Sequence, residues 1–395
     1  MTPTDASRSH PAPEVTQALR RMRSTEFPWT AEVTYLNNAS IGPLPERTRR
    51  VLDDFAAKRT APYLLPDRSL QEMLADARAA VARLINADVE EIALTPNTSI
   101  GLNTAAASLP IAAGETVLVS DREFPANVYP WLVLRERGVR VEVARTTVQG
   151  WPDEAYLLER LEDPGVRVLA ISFVQFSSGF RADLGTLADA CRRHGTYLVV
   201  DGIQGIGQSP LDVRKTPVDV LACGAQKWLL SPWGAGFLYV RREHVETLRP
   251  PMAGWMAFEG TDDFTRLTEY DATYRTDARR FEVGTLPFQE MLAMTESIGL
   301  LLDVGIGRIE EYLRWLRRPL FEAAAAGAFA VTSPTDRRHE SAIVCVRTPR
   351  LAEMYHGLRE SGVVCVMREG AIRLSPHCYN TIEEIERVGE LLVRR

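Results

Sequence analysis

Three groups of residues in this chain have the types and spacing to do chemistry together. The first is a lysine: Lys227 stands in LACGAQKWLLSPWGAGFLYV (221–240), a run otherwise apolar or small. An ammonium in such surroundings is desolvated, so it either meets an anion or gives up its proton. Lysine is also scarce. Of the 46 Lys and Arg residues only Lys58, Lys215 and Lys227 are lysine, and the other two lie in the polar stretches FAAKRT and DVRKTPVD. Arginine stays charged in a protein, whereas a desolvated lysine becomes a neutral amine nucleophile, so keeping Lys227 in an arginine-dominated chain points to amine chemistry. The second group is a carboxylate, Asp201, which closes the apolar run TYLVVD (196–201) and is costly there unless a cation or several donors meet it. The third is TPNTSIGLN (95–103), where backbone N–H groups and the hydroxyls of Thr98 and Ser99 at a helix start make a cradle for a phosphate. An amine, a buried acid and a phosphate cradle on one sheet edge are what pyridoxal 5'-phosphate requires. Lysine forms the Schiff base, the acid keeps the pyridine nitrogen protonated, and the helix end takes the phosphate. The glycine-rich DGIQGIG and SPWGAGF lack the G-x-G-x-x-G order of a dinucleotide site, so they read as turns.

These residues need a scaffold, and the surrounding pattern supplies one. EIALT (91–95), TVLVS (116–120), VRVEVA (139–144), RVLAISFV (167–174), TYLVVD (196–201), VDVLACG (218–224) and GAGFLYV (234–240) read as strands, with helical stretches such as LGTLADACRRHG between several of them. Alternating β and α elements predict an α/β fold with a large, mostly parallel seven-stranded sheet covered by helices on both faces. Ligands then collect at the carboxyl ends of the strands, where all three groups lie. Four segments are expected: an N-terminal arm over 1–30, a large α/β domain over 31–287, bridging helices over 288–327, and a small α+β domain over 328–395 on which the N-terminal segment packs. In that small domain AIVCVR, VVCVM and AIRLS read as strands.

Composition narrows the function classes. With 395 residues, 45% hydrophobic and 25% charged, the chain is long enough for more than one core. The net charge of −6 and the interspersed arginines give no nucleic-acid patch, and no run reaches membrane-spanning length or forms a leader. A cytoplasmic protein with no nucleic-acid or membrane partner is expected. Its five cysteines are odd in number and lack CxxC spacing, so reduced thiols are expected and no metal site.

YLNNASIGPLP (35–45), LTPNTSIGLN, DREFPANVYPW (121–131), VVDGIQGIGQSPLD (199–212), CGAQKWLLSPWGAGFLYV and RRFEVGTLPF (279–288), in this order, resemble the class V aminotransferase family. That fold-type I group of pyridoxal phosphate enzymes includes cysteine desulfurases, kynureninases and isopenicillin N epimerase-like proteins. The resemblance implies Lys227 as the Schiff-base lysine, Asp201 as the pyridinium partner and Gln204 as a hydrogen-bond donor to the ring oxygen or Schiff base. It places Phe124 on the ring face and Asn97, Thr98 and Gln226 around the phosphate, with Trp255 near it. Thr285 reaches the phosphate from a second subunit, implying a homodimer. Arg373, in GAIRLSPHCYNT, grips the substrate α-carboxylate, and Asn38 falls among the substrate-binding residues.

The chain also departs from that pattern. Desulfurases carry a catalytic cysteine on a loop between two arginines, but here Arg368 and Arg373 are joined only by EGAI. Cys365, before Arg368, reads as a strand residue of VVCVM. In FVQFSSG (173–179), Gln175 and Phe176 stand where other members use an asparagine. The expectation is an enzyme that takes an amino acid through an external aldimine and Cα deprotonation. It is nominally an aminotransferase. A C–S or other β-elimination lyase, an epimerase and a non-catalytic cofactor-binding module are the alternatives; a persulfide-forming desulfurase is not expected.

Overall fold

The computed structural model describes residues 10–327 and 329–394; the first nine residues of the expected arm, Ala328 at the expected start of the small domain, and Arg395 lie outside the described residues. A short strand, β1 (Thr34–Tyr35), follows the N-terminal segment. The large sheet then takes β2 (Ile92–Thr95), β3 (Thr116–Ser120), β4 (Arg140–Ala144), β5 (Val166–Ser172), β6 (Tyr197–Asp201), β7 (Val220–Gly224) and β8 (Gly236–Val240). Their order is β2-β8-β7-β6-β5-β3-β4, parallel except where β8 runs antiparallel to β2 and β7. All seven strands of the sequence reading are present, with ends that differ by no more than two residues.

The near-continuous apolar runs have a direct cause. Alternate residues of a strand face opposite ways, and both faces of this sheet are covered. Leu198, Val200, Leu221 and Cys223 join one apolar cluster, while Val199, Val220 and Ala222 join a second. The helix Asp67–Ile85 shows how a covering element is specified: Leu74, Ala77, Val81, Leu84 and Ile85 recur at helical spacing and are buried. It stops at Asn86, whose left-handed φ of 56° and N–H bond to the Ala82 carbonyl form the C-cap.

The helical run after residue 288 resolves into three helices, Phe288–Val304, Ile306–Leu316 and Arg318–Ala324. The small sheet contains β9 (Ala330–Val331), β10 (Val344–Arg347), β12 (Val366–Arg368) and β13 (Ala371–Leu374), ordered β12-β13-β10-β9 and antiparallel, while β11 (Val363–Val364) pairs elsewhere. VVCVM is therefore not one strand. β11 pairs in parallel with β1, and the chain switches partners at Cys365 before β12 begins.

The polar N-terminal segment, expected as a loose arm, contains a helix over Pro13–Glu26. Few apolar residues hold it, Leu19 and Met22 being the buried ones, so tertiary ties do much of the work. Arg23 donates to the carbonyls of Tyr379 (2.9 Å) and Thr30 (2.6 Å) and pairs with Glu384 at 2.8 Å. Glu384 also closes a capping box with Thr381 at the start of the last helix, Ile382–Val393. Among the described residues no helix is long and apolar enough to cross a membrane.

Candidate active site

Asp201 ends β6, between β5 and β7 in the sheet interior. It is 1% exposed and accepts the Ile203 N–H at 3.0 Å. Among the described residues no cation lies in salt-bridge range of it. Burial pushes its carboxyl up to about 6, against the stabilising backbone bond and the positive charge of Lys227. Lys227 lies just beyond β7, half-buried, and burial draws its amine down to about 8. The Asp201 charge opposes that fall, and Arg373 and Arg368 add to it. The two groups named from the sequence thus feel each other's charge without forming an ion pair, and desolvation drives each toward its neutral form.

Around them the structure places an exposed aromatic face and a polar cradle. Phe124 is 46% exposed; the Lys227 Nζ lies 5.6 Å from its ring centroid, and the Phe176 ring meets it edge-on at 5.3 Å. Asn97 caps the helix Thr98–Ser108, its Oδ1 accepting the Ile100 N–H at 3.0 Å. The Thr98 hydroxyl accepts the Gly224 N–H at 2.8 Å. A Cβ at Gly224 would come within 2.6 Å of the Gln226 Oε1 and 3.1 Å of the Thr98 Oγ1, so Thr98 and Gln226 close on the same spot. An uncompensated buried carboxylate, a deprotonatable amine, an open aromatic face and a helix N-terminus all fit pyridoxal phosphate.

Four nearly consecutive residues just after β1 brace this ensemble. Asn38 Nδ2 donates to the Lys227 carbonyl at 3.4 Å, and its Oδ1 accepts the Tyr379 hydroxyl at 3.0 Å. The Ala39 carbonyl accepts Gln204 Nε2 at 2.9 Å. The Ser40 Oγ accepts Arg373 Nη2 at 2.7 Å. Gly42 donates its N–H to the Gln226 carbonyl at 2.9 Å, and a Cβ there would come 2.1 Å from the Lys227 carbonyl oxygen, so only glycine allows that approach. Gln204 also accepts the Trp228 indole N–H at 2.8 Å, which leaves one amide N–H free for a ligand.

Arg373 is 2% exposed and its guanidinium meets no carboxylate among the described residues. Nη1 donates to the Phe176 carbonyl at 2.9 Å and Nη2 to Ser40, while the buried Nε has no partner. Trp255 and Thr285 are placed differently. They line a cavity of about 200 Å³ with Met256, Phe264 and Phe288, and its walls include none of Asn97, Thr98, Phe124, Asp201, Gln226 or Lys227.

One buried acid was missed from the sequence. Glu123, beside Phe124, accepts the Ser172 N–H at 2.8 Å and the Asn127 amide at 3.0 Å, together with the Ser172 hydroxyl and the Gln175 amide; burial still pushes it up to about 7. Its place next to Phe124 in DREF was the available signal. The structure also gathers Asp219, Glu243 and His244 with ligand atoms within 4.8 Å of one another, a group the sequence reading did not single out. His244 Nε2 lies 2.8 Å from Asp219 Oδ1, and the Arg241 guanidinium 3.7 Å from the same oxygen, so a cation there would compete with a guanidinium.

Comparison with known proteins finds relatives over nearly the whole chain. The family model for aminotransferase class-V matches residues 35–388. An uncharacterized aminotransferase of Bacillus subtilis (strain 168) is 30% identical over 362 residues, covering 91% of this chain and 93% of that protein. Isopenicillin N epimerase of Amycolatopsis lactamdurans is 31% identical, covering 91% and 94%. Among solved structures, the apo cysteine desulfurase of Thermococcus onnurineus NA1 superposes with a TM-score of 0.84 at 24% identity, covering 98% of each chain, which is a likeness of fold.

Proposed function

This chain belongs to the aminotransferase class-V family, a family of pyridoxal phosphate enzymes, and on that premise we propose that it moves a proton at the Cα of an amino acid, with transamination as the outcome. When bound, pyridoxal phosphate supplies an electron sink for the pair left as Cα loses its proton. Lys227, with an amine drawn down to about 8, is the base that carries that proton away from Cα; delivering it back to Cα would give exchange or epimerisation instead of transamination. Asp201 offers its uncompensated carboxylate to the ring nitrogen, Phe124 its exposed face to the ring, and Asn97, Thr98 and Gln226 their polar groups to the phosphate. Gln204 holds Ala39 and Trp228 and turns its remaining N–H to the ring oxygen.

The observation that carries the reading is Arg373, a buried guanidinium without a carboxylate whose charge reaches Lys227. Such a cation is best offset by the α-carboxylate of a substrate, held as a charge-assisted pair that sets Cα beside the amine. Asn38 acts through the Lys227 backbone. The likeness to an aminotransferase favours transamination, and the likeness to an epimerase supports epimerisation as the second reading. A homodimer is part of the proposal. Met252, Trp255, Phe264, Leu267, Tyr270 and Val283 are all at least 42% exposed, a concentration of apolar surface that a second subunit would cover while receiving Trp255 and Thr285.

The test is to incubate holoenzyme with a panel of amino acids and an acceptor 2-oxo acid in deuterium oxide. Transamination gives a new 2-oxo acid in step with amination of the acceptor. Deuterium at Cα with loss of configuration alone means epimerisation, and pyruvate with free ammonia means β-elimination. If no amino acid exchanges its Cα proton, the proposal is wrong.

A further inference from the structure

We infer that the face of the small sheet that carries Arg373 reads a second negative charge through Arg368, so that the substrate is an amino acid with an anionic side chain. This rests on the role given to Arg373 above. In the hairpin of β12 and β13, Val366 lies opposite Arg373 and Arg368 opposite Ala371. Because side chains alternate, Arg368 and Arg373 point to the same face of the sheet. Diagonal neighbours of this kind stand about 7–8 Å apart, within reach of long side chains that could grip the two ends of a four- or five-carbon diacid. Across β13, Cys345 lies opposite Arg373, so Arg347, two residues further on, shares the face as well.

That face looks into the site. Arg373 extends from it to the Phe176 carbonyl and the Ser40 hydroxyl, and both Arg373 and Arg368 disfavour the charged form of Lys227. Arg368 is exposed and its side chain has neither an ion pair nor a hydrogen bond among the described residues, although Glu369 adjoins it. Arg347 has no acidic partner there either; its Nη2 donates to the Glu369 carbonyl at 3.3 Å. Asp201 and Glu123, the acids described in the site, are buried, and among the described residues neither pairs with an arginine. A pair of cations at this spacing with no protein anion between them is arranged for a ligand that brings two. A substrate with only an α-carboxylate would leave Arg368 unused.

Succinate and butyrate, which lack the amine and cannot react, separate the two charges. Calorimetric titration of the holoenzyme should show succinate binding about tenfold more tightly than butyrate, equivalent to about 1.4 kcal/mol. Arg368→Gln, at an exposed strand end, should bring the two affinities within about threefold, and Arg368→Lys should keep part of the preference. Equal binding of both acids to the unsubstituted protein would overturn the inference. So would an Arg368→Gln variant that loses both alike, because Arg368 would then share the α-carboxylate with Arg373. If neither acid binds to an enzyme that exchanges Cα protons, the paired anion site is overturned; if in addition no amino acid exchanges its Cα proton, the reading of Arg373 itself fails.

Discussion

Replacing Asp201 with asparagine should make the cofactor-free protein more stable while disabling it. In the folded chain the carboxyl is pushed from its ordinary 3.8 to about 6, chiefly by burial. Each unit corresponds to 1.36 kcal/mol, so ionised Asp201 costs the fold about 3 kcal/mol at neutral pH. Asparagine removes the charge and keeps an oxygen for the Ile203 N–H. Some of the gain is lost again, because Lys227 loses the attraction that opposes its own desolvation; a net gain of about 2 kcal/mol is expected. The pH dependence follows from the sign. A carboxyl raised on folding costs nothing below pH about 4, where it is protonated in both states. Its cost grows as pH rises, and is complete above pH about 6. Urea unfolding of the cofactor-free proteins at pH 3 and pH 7.5 should therefore give nearly equal midpoints at the lower pH and a higher midpoint for Asp201→Asn at the higher one. Equal or lower stability of the variant at pH 7.5 would refute the claim that Asp201 is an uncompensated buried charge. The same variant should bind pyridoxal phosphate weakly and slow Cα proton exchange by about two orders of magnitude, about 2.7 kcal/mol in barrier terms.

Lys227→Ala should abolish the borohydride-reducible link between protein and pyridoxal phosphate, and peptide mapping of the reduced protein should find the adduct at Lys227 and not at Lys58 or Lys215. Arg373→Ala should weaken α-amino acids by about thirtyfold or more, at about 2 kcal/mol for a charge-assisted pair, and weaken the matching decarboxylated amines far less; equal loss of both would mark a structural arginine. Cys365→Ala should leave turnover nearly unchanged at a packing loss of about 1 kcal/mol, because the thiol is 4% exposed and burial pushes it up to about 12. Alanine formed from cysteine, with a protein-bound persulfide that disappears in this variant, would contradict that.

The large sheet was legible because each strand is buried on both faces and so reads as an apolar run bounded by turns. Lys227 and Asp201 were legible for the same reason, since a charge inside such a run needs a purpose. What escaped the sequence reading depends on partners far along the chain. VVCVM divides because Val363 and Val364 pair with Thr34 and Tyr35, more than 300 residues earlier. The helix Pro13–Glu26 carries few apolar residues and is held by Arg23 bonds to residues near the other end of the chain. Glu123 draws its donors from Ser172 and Gln175, and neither its spacing nor its neighbours in sequence announce that.

The stretch Asn37–Gly42 shows why distant segments must be assembled before the site can work. Asn37 bridges to Ser375 of the small domain, next to the strand that carries Arg373. From there the chain contacts Lys227 through Asn38, Gln204 through Ala39, Arg373 through Ser40 and the Gln226 carbonyl through Gly42. The amine proposed to move the proton follows a strand of the large sheet and the guanidinium proposed to fix the substrate lies on the small one, so their separation depends on what lies between them. Here that link is a turn, closed by the Ser40 and Ile41 N–H bonds to the Asn37 carbonyl at 3.0 and 3.3 Å, whose polar groups are used on both sides. A displacement of the small sheet moves Arg373 and strains the Ser40 contact, and through Asn38 and Gly42 it reaches the Lys227 backbone. A reaction that requires Cα to sit within hydrogen-bond reach of one amine is sensitive to shifts of about 1 Å, and this strap is the element that converts the packing of the small domain into that distance.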